Sequence, residues 1–362
     1  MISAIETDRH QWIERALGGQ PHGVATAHGR VNLIGEHIDY HGGTVLPTAI
    51  PNRADVAVVL DTGLDTDEIH ADGFGPSITR PLDDPASRHW SDYVVGALQL
   101  ARSEGLIRGG TRVATVSDIP HGAGLSSSAA ITVATLKAIL TAGDRMIDNV
   151  QVSLWAQSIE HRYIGMPCGI MDQMAVAIAT HGQALCLDTD SLDYTLVDLP
   201  KDHRFVVVHS GVTRRLEDGR YAQRREESEA AAKALGVTHL SKMSDEDAAR
   251  IDTLAPVLTR RARHVHSEHR RVLETVVALN RGDLAGVGVL FADSHRSMRD
   301  DFEMTTPEID ALVEGAVAFG ALGARLTGGG FGGCIVACVP AHAANEWFSL
   351  LKARFPAISA VA

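Results

Sequence analysis

Fifteen residues, Gly29 to Gly43 (GRVNLIGEHIDYHGG), set a burial problem that any fold of this chain has to solve. Val31, Leu33 and Ile34 read as a short buried strand, and Gly42-Gly43 as the turn that ends the segment. Between them Glu36, His37, Asp39 and His41 follow in quick succession, so several must project from one loop into one small space. A core cannot bury such groups unpaired, and a solvated loop has no need of them. A polyhydroxylated ligand suits them, because carboxylates accept from hydroxyls while imidazole donates or accepts. A metal site of His37, Asp39 and His41 is the weaker alternative, since the spacing matches no zinc pattern and the sequence contains neither HExxH nor paired CxxC.

A second constellation, PHGAGLSSSAA (Pro120 to Ala130), lies between a strand-like and a helix-like stretch. Its glycines let the backbone wrap an anion, and the helix that follows turns its free amides and positive dipole end toward the loop. Three consecutive serines can cap that helix, bind phosphate oxygens or ligate Mg²⁺. It is not a Walker A loop, because no GK[ST] follows and Lys137 lies within the helix. A third constellation, LTGGGFGGCIVACV (Leu326 to Val339), concentrates glycine where a ligand or another chain segment must come close.

Composition narrows the class. At 362 residues the chain suits two domains, and 45% apolar with 22% charged residues is ordinary for a globular protein. A net charge of −12 without a basic tail argues against nucleic-acid binding. No apolar run reaches the ~18 residues of a membrane span, and the acid-containing N-terminus is neither secretory signal nor transit peptide. Cys168, Cys186, Cys334 and Cys338 lack metal spacing and read as free thiols, which points to the cytoplasm.

Strand and helix patterns alternate over the first part. Strands are expected at Asp55–Leu60, Thr111–Val116 and Phe205–His209, and a hairpin at 183–187 and 194–199. Helices are expected at Trp90–Arg102, Ile131–Thr141, Asn149–Ile164 and Met171–Ala179. From about residue 200, Ser210–Leu235 and Leu258–Gly282 read as amphipathic surface helices, with the basic run Arg260–Arg271 as a solvated face. Ala324–Thr327 and Ile335–Val339 form a strand-loop-strand unit around the glycines.

The three constellations, in this order and at these separations, resemble the galactokinase, homoserine kinase, mevalonate kinase and phosphomevalonate kinase (GHMP kinase) superfamily. The first segment together with PCGIMDQ (Pro167 to Gln173) resembles galactokinases specifically, and WSDYVVG (from Trp90) and SHRSMRDDFEMTTPEIDAL (from Ser294) extend the match nearly end to end. The resemblance implies an α+β fold of two domains: a ribosomal-protein-like N-terminal domain with a mixed sheet (1–195) and a ferredoxin-like C-terminal domain (196–362). It implies transfer of the γ-phosphate of ATP to the anomeric hydroxyl of α-D-galactose. Asp172 then faces that hydroxyl, and Arg30 sits beside it, keeping the carboxylate ionised and stabilising the transferring group. Glu36, His37, Asp39, the backbone of Gly169, and Tyr221 match sugar-binding positions. Trp90 and Tyr93 match the adenine region, and Gly122, Gly124, Leu125, Ser126, Ser127 and Ser128 the phosphate loop. Ser128 and Glu160 match Mg²⁺ ligands. Ile38 and His41 stand where threonine and asparagine are common, which leaves N-acetylgalactosamine, another hexose or a uronic acid as alternative acceptors. A non-catalytic galactose and ATP sensor is disfavoured by the intact serine loop. The expected partners are small molecules only, with a monomer as first choice and a homodimer as the alternative.

Overall fold

A computed structural model describes residues 4–60, 63–120, 122–212 and 219–361. The chain divides into two compact units that interleave in sequence. One comprises Met1–Gly29, Ile50–Ile119 and Ser126–Ile178; the other comprises Arg30–Ala49, Pro120–Leu125 and Ala179–Ala362.

In the first unit, strand Pro47–Val59 pairs antiparallel with Arg112–Ser117, from Ala54 opposite Ser117 to Val59 opposite Arg112. Arg112–Ser117 pairs parallel with Thr66–Ala71, which pairs antiparallel with Ile78–Pro81. The sheet is therefore mixed, as the family resemblance implies. Residues 54–59 are buried one after another, the mark of a strand covered on both faces. On one face, helix Ala4–Leu17 lays Ile13 and Leu17 on Ala57, Val59, Ala114 and Val116. Asp55 lies within that buried run and accepts hydrogen bonds from Arg9 and Thr26, both at 2.6 Å.

Helix Ser127–Ala142 is apolar nearly all round and buried through most of its length, with Asp92–Ser103 and Met171–Ile178 packed on it. Lys137 gives its ammonium to the carbonyl of Ala177 at 2.8 Å, which commits it away from the serine loop. The helix expected over Asn149–Ile164 is α-helical only to Ser158; Ile159–Ile164 is a π-helical turn. Such turns carry one extra residue per turn and occur often at functional sites.

The second unit contains a four-stranded antiparallel sheet in the order Gly323–Thr327, Cys334–Pro340, His203–His209, Ser359–Ala360. Helices Pro256–Arg281, Leu284–Asp300 and Pro307–Ala318 lie in sequence between His203–His209 and Gly323–Thr327, and Ala344–Arg354 between Cys334–Pro340 and Ser359–Ala360. That order and connectivity are ferredoxin-like. The hairpin of Gln183–Asp188 with Tyr194–Asp198 also forms as expected.

Two helices differ from the sequence reading. The helix expected from Ser210 is described only from Arg220 to Leu235, and residues 213–218 lie outside the described residues. Pro256–Arg281 starts with proline in its first turn and ends at Gly282 with φ 70°, both ordinary stop signals. Its basic run, however, is not a solvated face throughout. Arg261, His264 and Glu268, three and four residues apart, are 2%, 0% and 0% exposed. Their partners come from elsewhere in the unit: Glu227 and Glu303 accept from Arg261, each at 2.7 Å, and His264 meets Ser297 at 3.0 Å. The four cysteines are free, and Cys334 and Cys338 are buried. No helix among the described residues is long and apolar enough to cross a membrane.

Candidate functional site

Residues 30–43, 120–125 and 326–339, drawn from the three constellations, meet inside the second unit. Arg30, 5% exposed at the end of strand Gly23–Asn32, donates from its guanidinium to the carbonyl of Gly124 at 2.6 Å. Its backbone amide donates to Leu125 at 3.2 Å. The thiol of Cys334, which follows the glycine run, meets the carbonyl of Ala123 at 3.3 Å. Gly328, which opens that run, donates its amide to Glu36 at 3.0 Å. Segments hundreds of residues apart thus converge on Gly29–Gly43.

The burial problem set by that segment is solved with specific partners. Glu36, 2% exposed, accepts from the amide of Gly328 and from the guanidinium of Arg325, and lies 3.2 Å from the hydroxyl of Thr327. Burial pushes its carboxyl up, against the pull of Arg325. His37 adopts φ 59°, rare for a residue with a side chain, and its ring packs 4.7 Å from Tyr221 and 4.8 Å from Phe302. Its Nδ1 bonds the Tyr40 hydroxyl at 2.6 Å, and its Nε2 faces the carbonyl of Gly329 at 3.4 Å. Asp39 opens a short 3₁₀ turn, Asp39–His41, whose first carbonyl accepts from Thr189 at 2.9 Å. Tyr221, 36% exposed, presents part of its ring to solvent.

The two family departures face inward. Ile38 is fully buried against Gly43, where an added Cβ would lie 2.9 Å from it. His41 bonds Ser228 at 2.8 Å, and burial holds its imidazole down at about 4. The glycine run is needed for close approach, as the sequence suggests: a Cβ on Gly330 would lie 2.6 Å from the carbonyl of Met304. Phe331 is held in a left-handed backbone (φ 61°) with the guanidinium of Arg220 4.4 Å above its ring.

In the first unit, Asp172 stands in the first turn of Met171–Ile178 and accepts from the hydroxyl of Ser126 at 2.7 Å. Ser126 itself is left-handed (φ 59°, ψ 39°) and its side chain does not cap helix Ser127–Ala142. The helix therefore begins with uncapped amides, a setting that favours an anion. Glu160 is buried on the π turn, not exposed on a helix surface. Tyr93 shares a hydrogen bond with Ser128 and feels the charge of Glu160; burial first, then Glu160, pushes its hydroxyl up. The structure thus turns Tyr93 toward Ser128 and Glu160. Trp90 packs against Phe74 at 5.1 Å and His89 at 5.5 Å. Gly169 is buried in the stretch that leads to Asp172. Gly122 and Gly124 are both left-handed, at φ 71° and 75°. The sequence missed the Ser126–Asp172 bond and the Arg325–Glu268 pair. The second had a visible signal, an arginine between alanine and leucine in a strand.

Comparison with known proteins shows the family. Residues 92–180 match the GHMP kinases N terminal domain, 275–357 the GHMP kinases C terminal, and 14–59 the galactokinase galactose-binding signature. The galactokinase of Actinobacillus pleuropneumoniae is 40% identical over 328 residues, covering 87% of this chain and 84% of its own. The crystal structure of Lactococcus lactis galactokinase complexed with galactose superposes with TM-score 0.92 at 27% identity, over 99% of this chain and 97% of that one. Methanococcus jannaschii mevalonate kinase shares the fold, with TM-score 0.66 at 19% identity over 91% and 94% of the two chains.

Proposed function

The chain belongs to the galactokinases, a family of the GHMP kinases, and we propose that it transfers the γ-phosphoryl group of ATP to the anomeric hydroxyl of α-D-galactose. The observation that carries this reading is the convergence of the Glu36 segment, the Gly124 loop and the Gly328 hairpin within one unit.

Asp172 is the carboxylate that meets the anomeric hydroxyl. The Ser126 hydroxyl, which donates to one of its oxygens, orients it toward the sugar. Phosphoryl transfer is loose, so removal of the hydroxyl proton comes late and positioning matters most. Arg30, anchored on Gly124, stabilises negative charge on the transferring group. Glu36, His37, Asp39, Tyr221 and the backbone of Gly169 hold the galactose hydroxyls. Glu36 already accepts protein hydrogen bonds on both oxygens, and their remaining lone pairs suffice for a sugar hydroxyl.

Trp90 lines the adenine region, and Gly122, Gly124, Leu125, Ser126, Ser127 and Ser128 hold the phosphates at the start of helix Ser127–Ala142. A magnesium ion fits Ser128 and the buried Glu160: one hydroxyl and one carboxylate suit a cation that keeps its waters and takes phosphate oxygens. When bound, the ion neutralises phosphate charge. Tyr93, a neighbour of Ser128, lines the adenine region with Trp90. The two family domains fall on either side of residue 195, while the compact units interleave across it.

The test is ADP release from MgATP with a panel of free sugars. Galactose-dependent release is expected; release only with N-acetylgalactosamine or a uronic acid, or none with any sugar, refutes the reading.

A further inference from the structure

We propose that Arg325 and Glu268 form a buried charged clamp that positions the sugar-binding segment and so sets galactose affinity without touching the sugar. The proposal rests on the galactose kinase reading above.

Arg325 is 0% exposed in the middle of strand Gly323–Thr327. Its guanidinium donates to the carbonyl of Leu33 at 2.7 Å, to the hydroxyl of Ser294 at 3.1 Å, and to the carboxylates of Glu36 and Glu268. Glu268, also 0% exposed, accepts from the amide of Gly35 at 3.1 Å, from Ser294 at 2.7 Å and from Arg271 at 2.8 Å. Burial works against its charge, yet Arg271 and Arg325 outweigh burial and hold its carboxyl at about 2. Two neighbours complete the grip. Thr327 donates to the carbonyl of Asn32 at 2.8 Å, and His264 meets the carbonyl of Glu36 at 3.1 Å.

Four backbone groups of residues 32–36 are thereby fixed one by one: the carbonyls of Asn32, Leu33 and Glu36 and the amide of Gly35. Two guanidiniums balance two carboxylates, so the cluster is neutral as a whole. Stability alone does not call for it, because apolar side chains of like volume often serve as well as a buried ion pair. Directional hydrogen bonds do what apolar packing cannot: they set where the chain leaves Glu36. The next residue is His37, in its rare φ 59° backbone against Tyr221. The clamp therefore delivers the Glu36 carboxylate and the His37 ring to fixed places.

The experiment measures KM for galactose at saturating ATP, KM for ATP at saturating galactose, kcat and melting temperature in Arg325→Lys and Glu268→Gln. A lysine keeps the charge but cannot span Leu33, Ser294 and Glu36 together. Galactose KM is expected to rise about tenfold in Arg325→Lys and about threefold in Glu268→Gln, with ATP KM within about twofold of wild type. A purely structural role would lower the melting temperature and leave both KM values alone. If Arg325→Lys does not fold, Glu268→Gln carries the same readout, since it preserves shape. Unchanged galactose KM, or equal changes in both KM values, overturns the clamp while wild-type turnover stands. A wild-type enzyme that releases no ADP with galactose overturns the functional reading and the clamp with it.

Discussion

Ser126 does two separable things, and replacing it by alanine and by glycine tells them apart. Its backbone is left-handed, at φ 59° and ψ 39°. A side chain there costs about 1–2 kcal/mol relative to glycine, while the extra freedom of glycine in the unfolded chain takes back about 0.4–1 kcal/mol. Ser126→Gly should therefore be between equal in stability to Ser126→Ala and about 1.6 kcal/mol more stable, since both lose the hydroxyl. The hydroxyl bond to Asp172, at 2.7 Å, is the second contribution. Hydrogen bonds to charged groups contribute about 1.5–3 kcal/mol, and the partial exposure of Asp172 lets water replace some of that. About 1.4 kcal/mol remains, a fall of about tenfold in kcat. The assay is ADP release at saturating galactose and MgATP, with thermal melts alongside. Both variants should lose the same factor in kcat while their melting temperatures differ. Wild-type kcat in Ser126→Gly would show that the hydroxyl does nothing for Asp172, and the assigned geometry would be wrong.

Asp172→Ala should lower kcat by at least about 10²-fold while a thermal-shift titration finds MgATP binding little changed; near-normal turnover disposes of its role. Asp39→Ala should raise galactose KM far more than ATP KM; equal effects on both KM values count against a place in the sugar pocket. Burial holds His41 and His264 at about 4 in the fold, against an ordinary 6.5. The unfolded chain takes up these protons first, so this contribution is complete above about pH 6.5 and is lost as pH falls toward 4, at most about 3 kcal/mol per histidine. Thermal melts from pH 7.5 to 4.5 should decline over that window, and a flat profile contradicts the burial of both imidazoles.

Much of the fold is legible because local pattern decides it. The hairpin at 183–198, helix Ser127–Ala142 and the strands around the glycine run follow from periodicity and turn residues alone. What is not legible depends on distant partners. The helical period of Pro256–Arg281 is plain in the sequence, but its charged residues Arg261 and Glu268 are buried because Glu227, Glu303 and Arg325 come to meet them. No local pattern carries that information. The two units also interleave in sequence, which periodicity cannot express. At the site, residue types point to a polar ligand at Glu36 and His37, and Asp172 is singled out only by the family resemblance, whereas the left-handed turn at Ser126 and the π turn under Glu160 are backbone choices without a sequence mark.

The most direct test of the account is ³¹P and ¹³C NMR of the product formed from galactose and MgATP. A single sugar phosphate is expected, esterified at the anomeric carbon in the α configuration, with one ADP for each. Phosphate on any other hydroxyl, or ADP and inorganic phosphate without a sugar ester, would contradict it.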